Sequence, residues 1–311
     1  MVKTLFRHKK VAYLVGLNAV FLSSSALAAG TWYDARNDAM GGTGVASSTW
    51  SSAVLANPAL MTKAKPEDNV SVIFPSAGVQ VTDKDKLINK VDDITDSVDR
   101  YKEVIDNLTF ADYLRGYPEL KAAAGDMANQ LDDLKGDKAH GTAGVAFAVT
   151  VPNETLPFAF ITKAYGTASV QANVVDSDIT YLRGVANGTV IPVPGDQDKL
   201  SSSGHGLAAL VTDYGVALAH EFDVAGHPVS VGVTPKLQKT WLYNYTASIY
   251  NFDKSNINNS QFRSSDTGFN IDAGIATDFG EHWTLGVTGQ NLISRDIDTK
   301  TVEGYRDTYQ I

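Results

Sequence analysis

Residues 267–292 alternate in type through two runs joined by Gly280-Glu281-His282. In the first run Phe269, Ile271, Ala273, Ile275, Thr277 and Phe279 share one face, and Gly268, Asn270, Asp272, Gly274, Ala276 and Asp278 share the other. In the second, Trp283, Leu285 and Val287 oppose Thr284, Gly286, Thr288 and Gln290. Successive side chains of a strand point to opposite faces, so the pattern predicts a hairpin with one apolar and one polar face. A soluble sandwich carries the same alternation. The aromatic pair Phe279 and Trp283 at the rim, with small or polar residues on the other face, points instead to the wall of a transmembrane β-barrel. No apolar run reaches the ~20 residues of a spanning helix. A membrane crossing by this chain therefore requires strands whose backbone groups are satisfied between neighbours.

The same period recurs upstream. Residues 69–82 read as a first strand, with Val70, Val72 and Phe74 on one face and, beyond Pro75, a switch of parity to Ala77, Val79 and Val81. Proline removes a ladder donor, so a bulge or kink is expected at Pro75. Strands follow at 144–151, from 158 to about 173, and at 206–222, where Leu210, Thr212, Tyr214, Val216, Leu218 and Phe222 oppose Asp213, Gly215, Ala217, Ala219 and Glu221. The longest expected strand, 229–241, turns Val229, Val231, Val233, Pro235, Leu237 and Trp241 outward and Ser230, Gly232, Thr234, Lys236, Gln238 and Thr240 inward. Trp241, Tyr243 and Tyr245 form an aromatic band beyond it. The last strand, 283–293, is the seventh. Residues 174–205 read as a polar loop in which 179–185 extends a strand.

Connection lengths alternate too. Short ones (152–157, 223–227, 280–282) follow the even strands and long ones (83–140, 174–205, 252–265) the odd strands, as in outer-membrane barrels. Bacterial single-chain barrels close with an even number of strands. Seven strands and a polar tail to Ile311 thus predict an incomplete barrel, an open curled sheet with a free edge.

The first long connection changes period. Leu87, Val91, Ile94, Val98, Tyr101, Ile105 and Leu108 are spaced by fours and threes, and after Pro118 so are Leu120, Ala124, Met127, Leu131 and Leu134. This predicts an antiparallel helical hairpin inserted at 84–138. Asp92, Asp93, Asp96, Asp99, Glu103 and Asp106 give it an acidic outer face, suited to solvent or to a docking partner.

Residues 1–28 read as a signal peptide: Lys3, Arg7, Lys9 and Lys10, a short apolar core at 11–22, and small residues ending at Ala28. Its removal takes four of the 26 basic residues and no acidic one, leaving 22 against 35, a net charge of −13. That disfavours nucleic acid as a direct partner. The absence of cysteine excludes a disulfide framework and thiol chemistry. An activated serine is not in evidence, since His140, His205, His220, His227 and His282 fall at strand ends, turns or loops without a partner motif. Neither enzyme activity nor a cofactor is expected.

Between the signal peptide and the first strand, 29–66 is small, polar and aperiodic. It holds Ala39-Met40-Gly41-Gly42-Thr43-Gly44-Val45-Ala46 and then Asn57-Pro58-Ala59. No strand precedes the glycines and no suitable lysine follows them, against a phosphate loop. This pair of motifs resembles the amino-terminal plug of the long-chain fatty-acid transporter (FadL-like) outer-membrane superfamily. The run Val231-Gly232-Val233-Thr234-Pro235-Lys236-Leu237-Gln238, with Tyr243, Tyr245 and Phe252-Asp253, resembles the conjugal-transfer TraF-like branch related to it. The fatty-acid transporters lack the helical insertion.

The resemblance implies an all-β antiparallel transmembrane barrel in the bacterial outer membrane, with a plug at 29–66 and a partial barrel over 67–311. It would serve as a passive conduit or binding barrel for small hydrophobic molecules in contact with outer-membrane lipid. Gly41, Gly42, Gly44, Asn57, Pro58 and Ala59 would form the gating plug, and a ligand would leave sideways at a strand kinked by Pro75 or Pro235. Inward Lys163, Asp213, Glu221, Lys236 and Asp272 would set the lumen's charge or pair with one another. The alternative is a surface component of conjugative plasmid transfer that engages cell-surface or conjugation proteins through the helical hairpin.

Overall fold

The computed structural model of the chain describes residues 43–251, 260–280, 283–298 and 308–310. The expected signal peptide, Gly41, Gly42, Phe252, Asp253 and His282 lie outside these residues. Seven strands form one antiparallel sheet in strict chain order: β1 (Ser71–Thr82), β2 (Lys138–Val151), β3 (Phe158–Asn173), β4 (Ser203–Val224), β5 (His227–Ser248), β6 (Arg263–Phe279) and β7 (Trp283–Gly289). The sheet curls into a half-barrel, and among the described residues β1 and β7 are its unpaired edges.

The curl gives the alternation its meaning. On the outer face Val72, Phe74, Leu210, Tyr214, Val216, Phe222, Leu237, Phe269, Ile275 and Leu285 are exposed. On the inner face Ala146, Ala148, Ala159, Ala217, Ala219 and Ala276 are buried beside Lys163, Asp213, Thr234, Lys236, Gln238, Asn270 and Asp272. The polarity is thus opposite to that of a water-facing sheet. On β4 the exposed apolar residues run from Leu210 to Val224, and the strand continues beyond them to Ser203 through Gly204 and Gly206.

Several strand ends differ from expectation. β2 begins at Lys138 rather than 144, and β4 and β5 span 22 residues each, so Trp241, Tyr243 and Tyr245 lie within β5 and not beyond it. A two-residue turn, Ala225-Gly226, joins β4 to β5 with both residues at positive φ (55° and 79°), the backbone of a type I′ hairpin. β7 stops at Gly289 and not at 293. Asn291 takes a φ of 52°, and the chain folds back over the inner face, where the Asn291 and Ile293 amides donate to Asp272 Oδ1 (2.8 Å) and Asn270 Oδ1 (3.0 Å). The polar tail then supplies a short β8 (Asp296–Asp298), paired with β9 (Thr308–Gln310).

At Pro75 the β1–β2 register shifts, between Ile73 and Ser76, as the parity switch predicted. Pro235 behaves differently. The β4–β5 register is the same on both sides of it (Gly215↔Lys236, Leu218↔Val233), and only the pairs opposite Thr234 and Pro235 are missing. The missing N–H opens a gap in the ladder without inserting a residue.

The first long connection holds α3 (Leu87–Asp106), a short α4 (Phe110–Leu114) and α5 (Pro118–Asp133), following two four-residue turns in the N-terminal segment, α1 (Gly44–Ser47) and α2 (Ala53–Ala56). Leu87, Ile94, Val98, Tyr101 and Ile105 of α3 and Leu120, Ala124, Met127 and Leu131 of α5 share one buried core, as their spacing predicted. The strand extension expected at 179–185 is wrong. Those residues lie in α6 (Asp176–Asn187), whose Ile179, Leu182 and Val185 join the same core. Asp176 and Asp178 in its first turn favour the positive end of the helix dipole, and Gly188 at φ 75° ends it. The expected hairpin is therefore a three-helix cap in which α3, α5 and α6 share one core, with the short α4 between α3 and α5. Among the described residues no helix is long and apolar enough to cross a membrane.

Leu182 is fully buried between helices. Leu182→Ala is expected to destabilise the cap by about 2–5 kcal/mol, read from the helical circular-dichroism signal during urea unfolding. A loss under about 0.5 kcal/mol would contradict the packing of α6 into the core.

Candidate functional site

The inner face of β4–β7 is built to receive residues 43–63. After α2, a 3-10 helix (Pro58–Lys63) begins with Pro58, where a missing N–H costs nothing, and Asn57 caps it by accepting from the Ala59 amide (3.1 Å). The Asn57 side chain is fully buried, and its Nδ2 donates to Val45 O (2.8 Å) and, across the sheet, to Ile275 O (3.2 Å). Glycines make room for this turn. A methyl group on Gly274 would overlap Asn57 Oδ1, one on Gly232 would overlap the Ala59 amide, and one on Gly286 would stand 2.5 Å from Val45 O. Gly232 and Gly274 are direct cross-strand partners, so the cradle spans β5 to β7. Beside it Ala53, Val54, Leu55, Ala59, Leu60 and Met61 pack on the alanine floor of β2, β3, β4 and β6.

The rim ties the segment down by polar contacts. Lys63 pairs with Asp278 and lies 3.9 Å from Glu221, while Thr62 Oγ1 bonds Ser230 Oγ (2.7 Å), which itself donates to Glu221 (3.1 Å). Above the cradle lies a buried charge network. Lys236 Nζ reaches Asp213 (3.1 Å) and Asp272 (2.8 Å), and Lys163 Nζ lies 3.4 Å from Asp213. Gln238 Nε2 donates to Asp213 (2.9 Å), and Gln238 Oε1 accepts from Asn270 and Arg295 (3.2 Å each). Two lysines and two aspartates thus cancel, each held in a covered site by a partner on an adjacent strand.

On the outer face, over the ladder gap at Pro235, Phe147, Phe160, Tyr214, Val216, Leu237 and Phe269 line an apolar groove of about 430 Å³. Nothing in the spacing of these residues marks a groove. It lies where Pro235 interrupts one ladder.

Each expected lumen residue falls on the inner face, with Glu221 at the exposed rim and the other four in the network. Of the expected plug residues, Gly44 opens α1, and Asn57, Pro58 and Ala59 make the docked turn. Sequence reasoning did not single out the receiving glycines, although Gly232, Gly274 and Gly286 all have inward parity. His140, His205 and His227 lie within the first three residues of β2, β4 and β5, as expected, whereas His220 lies inside β4; His205 bonds Asn244 (2.9 Å). Among the described residues no group of three or more His, Asp or Glu side chains is arranged to hold a metal ion.

A family model described as F plasmid transfer operon, TraF, protein matches residues 54–311. The chain belongs to this family. The TraF match spans the docked Asn57-Pro58-Ala59 turn, the helical cap and the whole sheet. No curated protein and no solved structure matches this TraF-family chain.

In this TraF-family protein Gly274→Ala is expected to displace Asn57 and cost about 1–3 kcal/mol of segment docking, since buried amide groups lose their partners. Limited proteolysis should then cut within 43–63 at least several-fold faster, with the sheet intact; an unchanged rate would refute the cradle. Lys236→Met leaves Asp213 and Asp272 short of their shared cation and is expected to cost about 3–5 kcal/mol in urea unfolding. The double variant Lys236→Met/Asp272→Leu should recover part of that loss.

Proposed function

We propose that this TraF-family chain forms the wall of an outer-membrane β-barrel and binds or passes small hydrophobic molecules past its docked N-terminal segment. The observation that carries the reading is the inverted polarity of the sheet: Phe74, Leu210, Tyr214, Phe222, Leu237 and Leu285 exposed outside, Lys163, Asp213 and Lys236 buried inside. An apolar surface of that extent on a monomer is a contact for lipid or protein. Along β4 the exposed apolar residues extend from Leu210 to Val224, longer than the ~9–11 residues a tilted strand needs to cross a bilayer. Short β2–β3, β4–β5 and β6–β7 turns opposite long connections fit the outer-membrane arrangement, and the signal peptide read from residues 1–28 supplies the export route.

In this reading residues 43–63 act as the plug, related to that of the fatty-acid transporters, and release of Lys63 and Asn57 opens the path. A ligand then leaves sideways at the Pro235 gap into the outer groove. Uptake of a fluorescent fatty acid into liposomes carrying the purified full-length protein tests this. Gly274→Ala, which loosens the plug, is expected to raise uptake about tenfold, and uptake indifferent to the plug would count against gating.

A second reading, as a surface component of conjugative plasmid transfer, is supported by TraF-family membership and by the three-helix cap. Deleting 84–138 should then abolish mating while leaving uptake intact.

A further inference from the structure

The helical cap carries an apolar display that its own core does not use. Phe110 and Leu114, one turn apart on α4, are 78% and 74% exposed. Ile191 and Val193 in the α6–β4 connection are 69% and 50% exposed. The two pairs are neighbours, because the Tyr113 hydroxyl donates to Pro192 O (2.8 Å) between Ile191 and Val193. A five-residue helix has little stability of its own. This one is held by a capping box between Thr109 and Asp112, by an Arg115–Asp112 ion pair (3.1 Å) and by the Tyr113 anchor. Hydrogen bonds from Thr109 hold the Asp112 carboxyl below the usual carboxylate range, so the box stays intact at neutral pH.

On the other side of α4 lies a pocket of about 390 Å³ between the end of α3 and the start of α5. Glu103, Asp112 and Glu119 line it, and Arg115, paired with Asp112, is its sole basic residue. Residues 83–137 as a whole hold 14 acidic and eight basic residues, a net charge of −6. An exposed apolar cluster beside an acidic pocket complements a surface of opposite charge and equal greasiness.

We propose that α4 and the 191–193 loop form a docking surface for a protein segment that carries apolar side chains next to a lysine or arginine. The apolar side chains cover Phe110, Leu114, Ile191 and Val193, and the cation enters the pocket of Glu103 and Glu119. The inference deepens the surface-component reading by naming the partner's chemistry, and it holds whether or not the sheet lies in a membrane.

Fluorescence anisotropy of short labelled peptides against the purified full-length chain tests it, with Lys/Leu, Glu/Leu, Lys/Ser and Ser/Leu compositions at equal length. The Lys/Leu peptide is expected to bind at least about tenfold tighter than the other three. Phe110→Ser/Leu114→Ser should abolish that advantage, and Glu103→Lys/Glu119→Lys should weaken it several-fold and steepen preference for Glu/Leu. These side chains are exposed or at the pocket rim, so an unchanged helical circular-dichroism melt certifies each variant. Equal binding of Lys/Leu and Ser/Leu, or binding indifferent to either double variant, would overturn the proposal. So would a concentration-dependent dimer of the chain that Phe110→Ser/Leu114→Ser dissolves, because a second copy would then be the occupant. Peptide binding that persists while deletion of 84–138 leaves mating intact would sink the conjugation reading and leave the docking surface standing.

Discussion

Lys236 sits between two aspartates on the covered face of a sheet, and much of the architecture follows from what that arrangement demands. A charge taken out of water is tolerable only beside its complement. The complement here comes from β4 and β6, and Lys163 and Gln238 complete the set. Such a network fixes which residues of β3 to β6 stand opposite one another, because a slip in pairing would strand a buried ion. It also leaves the greasy side chains of the same strands with nowhere to go but outside. The inverted polarity of the sheet and the burial of its ions are one fact seen from two sides.

Much of this was legible in the sequence, for reasons particular to each element. Period two is unambiguous in β4 to β6, where alternation is sustained across many residues, and the heptad spacing of α3 and α5 is equally clear. α6 was misread because only Ile179, Leu182 and Val185 mark its face and the flanking chain is rich in glycine and proline. Its acidic first turn and Asn187-Gly188 stop were the better signal. The end of β7 was misjudged because alternation continues formally past Gly289, while the backbone finds stronger acceptors in Asp272 and Asn270. Pro235 shows the limit of a local rule. A proline in a strand announces a missing donor, but whether the strand bulges or merely loses two pairs depends on neighbours held in register by other contacts.

The receiving site for the N-terminal segment was half visible. Asn57-Pro58-Ala59 stands out as a motif, yet its socket is made of three glycines on three strands, separated in sequence and recognisable only once the sheet brings them together. Glycine in a strand weakens it and is kept where another backbone must come close. That trade links the segment to the sheet: close contact through backbone and one amide adds specificity of shape to the apolar packing of Leu55, Leu60 and Met61 on the alanine floor. The cap follows another logic, with a full apolar core of its own and a small helix fastened to display side chains rather than bury them.

The turn at Ala225-Gly226 carries a consequence out of proportion to its size. Strand pairing has a parity, and two residues with left-handed backbones set it for the whole ladder between β4 and β5. A change in the turn that slipped β5 by one residue against β4 would swing Lys236 and Gln238 to the outside and Val233 and Leu237 to the inside. The short turn and the buried ions thus enforce the same register from two ends of one ladder.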